Sequence, residues 1–286
     1  MAKYNNLKMH QVALSNFVYY RHSLSYTLDS LERIGARAIE LYAAAPHFCL
    51  EDCSVADMKA LRRKIDDHHL KVINVCPENC TYPMNMASRN REMAIRTYRN
   101  YVRAIQAASE LECPHVLCFP GLALADECPE DAWKRAIDAM TQLADVAAGY
   151  GVTNLLEASG SGVTVLDGTC KTVQMLKEIN SPGLTGMVDL MCIEIVGDSI
   201  ESAIEQLGID RVGHIHFSDA VEVSPGHWEH RVPGDGTINI EHDLEVLNAH
   251  KFDAYFGCEV FAPYEADPEL AMRRYLDWCR ERFVQD

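Results

Sequence analysis

Several things are missing from this chain, and each absence closes a class of function. No apolar run approaches the length of a membrane span, and the opening Met1-Ala-Lys-Tyr-Asn-Asn lacks the apolar centre of a secretion signal. The expectation is therefore a cytoplasmic protein with no membrane partner. Basic residues are few, with 26 Lys and Arg against 42 Asp and Glu and a net charge of −16. Phosphate contacts need clustered Lys and Arg, so no nucleic-acid partner is expected. No Gly-x-Gly-x-x-Gly follows the first strand-like run, which argues against a dinucleotide fold. The Gly-rich Ser159-Gly-Ser-Gly162 lacks a Lys-Ser/Thr ending and reads as a strand–helix turn. No Pro/Gly/Ser-rich linker divides the chain.

Cysteine is plentiful but unpatterned. The eleven residues are scattered with no Cys-x-x-Cys pair, their number is odd, and no export signal accompanies them. A disulfide framework is not expected on those grounds, and small, reduced core residues are. No activating partner marks any of them as a nucleophile.

What the chain does contain is alternation. Short apolar runs (Met9–Ser15, Ala38–Tyr42, Val72–Cys76, His115–Phe119, Asn154–Ala158, Gly186–Leu190, Gly213–Phe217 and Tyr255–Val260) are separated by segments of helical period. In Ser54–His68 the apolar residues Val55, Met58, Leu61 and Ile65 fall on one helical face, and Pro129-Glu130-Asp131 is a helix-start signal. Other helical segments are Arg91–Leu111, Leu166–Ile179, Ser199–Leu207, Glu241–Ala249 and Pro268–Phe283. Strand and helix repeated about eight times over 286 residues, with 48% hydrophobic residues for a core, predicts α/β architecture: a (β/α)₈ TIM barrel as a single domain over 1–286.

Four polar residues stand at the ends of four successive strand-like runs. Glu157 closes Thr153-Asn-Leu-Leu-Glu157, Asp189 closes Thr185-Gly-Met-Val-Asp189, His216 closes Val212-Gly-His-Ile-His216 and Glu259 closes Tyr255-Phe-Gly-Cys-Glu259. In a barrel, the loops leaving the C-terminal strand ends build the active site, so side chains from neighbouring strands converge there. Three carboxylates and an imidazole form a hard, mostly oxygen donor set, suited to one Mn²⁺, Mg²⁺ or Co²⁺. His214 and His216 share a strand face by the period of two, so one would bind the ion while the other orients it or contacts substrate. His216 is nearer the strand end and is the expected ligand.

The order and spacing of short motifs then carry a resemblance over nearly the whole chain. They are Glu40-Leu-Tyr with Ala45-Pro-His47, Pro77-Glu78-Asn-Cys-Thr-Tyr82-Pro-Met-Asn85, Leu156-Glu157, Met187-Val-Asp189, His214-Ile-His216-Phe-Ser-Asp219, Val232-Pro-Gly-Asp-Gly236 and Glu259-Val. The sequence resembles the sugar phosphate isomerase/epimerase group of xylose-isomerase-like barrels, most closely its fructoselysine 3-epimerase and ketose 3-epimerase branch. The resemblance implies that Glu157, Asp189, His216 and Glu259 hold one divalent ion, commonly manganese or cobalt, and that Glu157 and Glu259 double as the catalytic acid/base pair. A polarised carbonyl makes the adjacent C–H acidic, and removal of the proton on one face with return on the other inverts the carbon. Substrate contacts are expected from His47, Tyr82, His214, Trp228 and Arg231, the last two in a long loop over 219–236 with room for a modified sugar.

The chain departs from the ketose 3-epimerase pattern at three positions. A His expected three residues after the metal Asp is Cys192, a Glu expected after the first metal Glu falls at Val163, and an Arg expected six residues after the metal His is Glu222. A second reading follows from these departures. The large subunits of bacterial C-glycoside deglycosidases look similar and are lyases that release an aglycone from a 3-oxo-sugar. The expected partners are a sugar or sugar conjugate and further copies of the chain, or a small second subunit under the lyase reading. An endonuclease of the same superfamily is disfavoured by the charge and by too few His ligands for three metals.

Overall fold

The computed structural model describes residues 2–78, 84–160 and 164–285. Eight parallel strands close on themselves: β1 (Val12–Ser15), β2 (Ala38–Ala43), β3 (Lys71–Pro77), β4 (His115–Cys118), β5 (Thr153–Leu156), β6 (Leu184–Asp189), β7 (Val212–His216) and β8 (Tyr255–Gly257), with β8 pairing back onto β1. Each pairs with the next in chain order, so the sequence folds as a single (β/α)₈ barrel. The connections carry α1 (Leu24–Arg33), α2 (Val55–Asp67), α3 (Arg91–Glu110), α4 (Pro129–Tyr150), α5 (Thr169–Ile179), α6 (Leu190–Ile195), α7 (Ile200–Leu207) and α8 (Ile240–Ala249), and α9 (Pro268–Arg280) follows β8.

Local chemistry explains these elements. Ser54 and Asp57 form a reciprocal capping box at the start of α2, and Met58, Leu61 and Ile65 form its buried stripe. Burying each such side chain stabilises the fold by about 1.5–3 kcal/mol. Most of the core lies between the strands' outer faces and the helices, including Ile39, Leu41, Val116, Leu156, Val188 and Ile215 from the sheet. Among the described residues, a small cluster separate from this core consists of Ala13, Ala38 and Ile73 with Tyr255 against it. Ala38 shares its face with Glu40, and Tyr255 with Gly257, because side chains alternate along a strand. This cluster therefore floors the barrel interior, and polar residues stack above it.

Two features differ from the sequence expectation. The segment Met9–Ser15 is not one strand: Tyr4–Lys8 pairs with Phe283–Val284 outside the barrel, and only Val12–Ser15 enters it. The segment after β7 is not an open loop either. Asp219–Ser224 and His227–Arg231 form an antiparallel hairpin around Pro225-Gly226, with Gly226 at a φ of +75° that favours glycine. The ten described cysteines are all free, five of them fully buried.

Candidate active site

The strand ends deliver the expected residues to one place. Asp189 and His216 are the last residues of β6 and β7 and face each other in register. Glu157 follows β5, its amide still bonded to the Cys118 carbonyl at 3.2 Å. Glu259 lies two residues beyond β8, where Ser15 donates to the Cys258 carbonyl at 2.5 Å and holds the strand end. One donor atom from each of the four lies within 4.8 Å of every other.

His216 is the centre of the cluster. Its Nδ1 is 2.8 Å from Glu157 Oε1, 2.7 Å from Glu259 Oε2 and 3.4 Å from Asp189 Oδ2. None of these approaches has hydrogen-bond geometry: Glu157 Oε1, Asp189 Oδ2 and His216 Nδ1 are buried with no hydrogen-bond partner. Buried polar atoms without partners are costly, and three that converge require something that satisfies them together. Donors about 2.1 Å from one small divalent ion stand about 3 Å apart, which is close to the spacing of His216 Nδ1 from the three carboxylates. The donor set therefore fits one hard divalent cation. Asp189 has its other oxygen, Oδ1, occupied as the N-cap of α6, accepting from the Cys192 amide at 2.8 Å. That bond aims Oδ2 inward.

The electrostatics follow from burial and crowding. Burial, together with the charges of Glu259 and Asp189, pushes Glu157 up to about 7 against the pull of His216. Burial opposes ionisation of Asp189 too, yet His230, His216 and the Cys192 amide hold it well below the usual carboxylate range. Burial likewise opposes a charge on His216, but the carboxylates of Glu259, Glu40 and Glu157 raise it well above an ordinary histidine. Three carboxylates pressed on one imidazole leave an excess of negative charge that a cation relieves.

Two neighbours of this cluster were given no site role by the sequence. Glu40 on β2 is completely buried beneath it, its Oε1 2.8 Å from His216 Nε2 and its Oε2 2.6 Å from His214 Nε2. The Cys76 thiol donates to Glu40 Oε1 at 2.9 Å. His230, on the hairpin, brings Nε2 to 3.5 Å from Glu259 Oε2 and 3.8 Å from Asp189 Oδ2, while its Nδ1 is hydrogen bonded to Ser218 Oγ at 2.7 Å. The hairpin is itself anchored. Asp219 accepts from the Gly234 and Gly236 amides at 3.0 Å each, and a Cβ at Gly236 would overlap the Asp219 carboxylate.

The expected substrate contacts are placed variously. His214 does not reach the mouth: it lies two residues before His216, about 6.6 Å deeper along the strand, and is fully buried on Glu40. This corrects the expectation of a substrate contact there and leaves the orienting role. His47 has Nδ1 2.9 Å from Asn16 Nδ2 and Nε2 2.9 Å from the His22 carbonyl, so both nitrogens are engaged within the protein. Arg231 donates to Glu229 at 2.6 Å and to the Ala262 carbonyl at 2.9 Å. Half-buried Trp228 shares its strand face with His230. Tyr82 and Val163 lie outside the described residues.

A barrel whose strands five to eight each deliver a candidate metal-ligating side chain at or just beyond their C-terminal ends defines a class, and the comparisons agree. Residues 28–282 match the family described as the xylose isomerase-like TIM barrel, and the chain belongs to it. Fructoselysine 3-epimerase of Shigella flexneri is similar, at 22% identity over 94% of this chain and 96% of its own length. Among solved structures, apo 3-keto-D-glucoside 4-epimerase from E. coli superposes with a TM-score of 0.76 at 18% identity, covering 94% of this chain and 98% of that one. The IOLI protein with a bound zinc atom superposes with a TM-score of 0.78 at 19% identity, covering 93% and 95% of the two chains. Among the described residues, no helix is long and apolar enough to cross a membrane.

Proposed function

We propose that this protein is a divalent-metal-dependent epimerase or isomerase of a ketose or other keto-sugar, working by proton removal and return at the carbon beside the carbonyl. One observation carries the reading. The four-residue cluster is graded in depth: the side chains of Asp189 and His216 are 1% and 0% exposed, whereas those of Glu157 and Glu259 keep 14% and 20%. The deep pair can only hold an ion. The shallow pair, from β5 and β8 on either side of the cluster, can meet both the ion and an incoming substrate.

The bound ion would polarise the carbonyl and its neighbouring hydroxyl, acidifying the C–H between or beside them. Everything else belongs to the chain. Glu157, partly exposed at the mouth of the cluster, can supply one of the carboxylates that exchange a proton with the substrate. Glu259, delivered from β8, also approaches His216 Nδ1 and provides the second carboxylate that two-sided proton transfer needs. His230 and Trp228 bring a hydrogen-bonding group and an aromatic face to the mouth on the hairpin, a fit to a sugar hydroxyl and a ring. Manganese is the ion that the hard, oxygen-rich donor set favours; the zinc atom bound by the IOLI protein, which shares this fold, supports a divalent-metal reading. The relatives' names, fructoselysine 3-epimerase and 3-keto-D-glucoside 4-epimerase, support a keto-sugar substrate carrying a substituent. A cytoplasmic setting and self-assembly complete the reading.

The test is a substrate panel. Purified protein with Mn²⁺ is incubated with free ketoses, fructosamines and 3-keto-glycosides, and the products are followed by NMR. Interconversion of epimers or of an aldose–ketose pair, abolished by chelation, is expected. Activity that persists after chelation, or release of an aglycone without any stereochemical change, contradicts the proposal.

A further inference from the structure

The buried layer beneath the candidate metal centre is polar, where the interior of a barrel is ordinarily filled by branched apolar side chains. Glu40 on β2 reaches across the barrel interior to two histidines of β7, over strands that are not its neighbours in the sheet. We propose that Glu40 is the positioning residue of the metal centre: its carboxylate clamps the Nε2–H groups of His214 and His216 and so holds His216 with the Nδ1 lone pair turned to the ion. This inference rests on the metal reading of the cluster above it.

The geometry leaves His216 one workable arrangement. An imidazole has two ring nitrogens, and the one that binds a metal must carry a lone pair, so the ring proton sits on the other. Nδ1 is the nitrogen facing Glu157, Asp189 and Glu259. Nε2 therefore bears the hydrogen and needs an acceptor, and Glu40 Oε1 stands 2.8 Å from it. A carboxylate behind a ligating histidine fixes ring orientation and raises ligand basicity.

Glu40 must in turn be held, because an ionised carboxylate with no access to water is costly unless each oxygen is satisfied. His214 takes Oε2 at 2.6 Å, and the Cys76 thiol takes Oε1 at 2.9 Å. His214 thus serves as the second jaw of the clamp. Gly257 on β8 supplies independent support. A Cβ at that position would overlap both the Glu40 carboxylate and the His214 ring, so the strand is bare where the clamp passes.

The experiment combines two readouts on the full chain. In ¹⁵N NMR of the Zn²⁺-loaded wild-type protein, His216 should show a coordinated Nδ1 and a protonated Nε2; coordination through Nε2 overturns the proposal. Mn²⁺ titration of the folded Glu40→Met variant should give a Kd about 10–100-fold weaker than wild type, the range typical for lost partners of a ligating histidine. Gly257→Ala, which keeps every polar group, should weaken Mn²⁺ binding in the same direction by displacing the clamp. A purely structural Glu40 would lower the melting temperature of the metal-free protein and leave the Kd unchanged. Affinity within about twofold of wild type in both variants therefore refutes the clamp. If Glu40→Met does not fold, the wild-type tautomer and Gly257→Ala decide. A wild-type chain that binds no divalent ion overturns the metal reading itself, and the clamp with it.

Discussion

Asp189→Asn is the perturbation whose consequences the structure determines most closely. Asp189 divides its oxygens between two tasks, Oδ1 capping α6 on the Cys192 amide and Oδ2 pointing into the ligand cluster. Asparagine cannot do both. With its oxygen on the cap, its NH₂ points donors at a position that requires a lone pair. With its oxygen in the cluster, NH₂ opposes the Cys192 N–H and the cap is lost, at about 1 kcal/mol. Removing a ligand should weaken binding at least as much as removing a ligand's supporting partner, so about 100-fold is expected. At a metal concentration 100 times the wild-type Kd, linkage stabilises wild type by about 2.7 kcal/mol, but a variant bound 100-fold more weakly by only about 0.4 kcal/mol. Unfolding entropy of about 2.1 cal/mol/K per residue over 286 residues gives about 0.6 kcal/mol/K. The metal-induced rise in Tm should then be about 4–5 °C for wild type and about 1 °C for Asp189→Asn. The assay is paired melts of chelated and Mn²⁺-loaded protein, with activity recovered in part as metal is raised. Equal metal-induced shifts in both proteins would refute the assignment of Asp189 as a ligand.

Glu259→Gln should behave differently, because the amide retains an oxygen for the ion but cannot accept a proton; kcat should fall about 10²–10⁴-fold and saturating metal should not restore it. Full rescue by metal would contradict a proton-transfer role. Glu157 holds a proton below about 7 in the metal-free protein, and an ion must displace it, so apparent metal affinity should climb as pH rises through 7. Calorimetry in buffers of different ionisation enthalpy should show proton release, and an affinity that does not vary with pH would contradict this. Gly236→Ala, forced against the Asp219 carboxylate that pins the base of the hairpin, should cost about 1–3 kcal/mol in denaturant unfolding. A wild-type unfolding midpoint would show that the turn tolerates the added methyl.

Much of this site was legible in the sequence, and the parts that were not share a cause. Glu157, Asp189, His216 and Glu259 stood out because each ends an apolar run, and a barrel's parallel register converts equivalent strand positions into spatial neighbours. Glu40 also lies in such a run, but its partners are 174 and 176 residues away and across the barrel, where no local pattern points. His214 was correctly set deeper than His216, but whether it orients the ligand or meets substrate depends on Glu40 across the barrel, which its own strand does not reveal. The hairpin was hidden for a different reason. His227-Trp-Glu-His-Arg231 has no apolar face to alternate, since four of its five residues are polar or charged. Without the strand assignment, the shared face of Trp228 and His230 could not be inferred. The departures at Cys192 and Glu222 are thereby placed in context, since an imidazole from the hairpin stands over the ligand cluster.

The central claim, proton transfer at a carbon beside a carbonyl, is tested most directly by solvent labelling. The Mn²⁺-loaded protein is incubated with its keto-sugar substrate in D₂O, and substrate and product are examined by NMR and mass spectrometry. A carboxyl group that accepts the substrate proton exchanges it with solvent before returning one. The account predicts deuterium at the inverted or newly protonated carbon of the product, with the carbon skeleton intact. Conversion without any deuterium incorporation, or release of a free aglycone from a 3-oxo-C-glycoside with no labelling of ketoses, would contradict it.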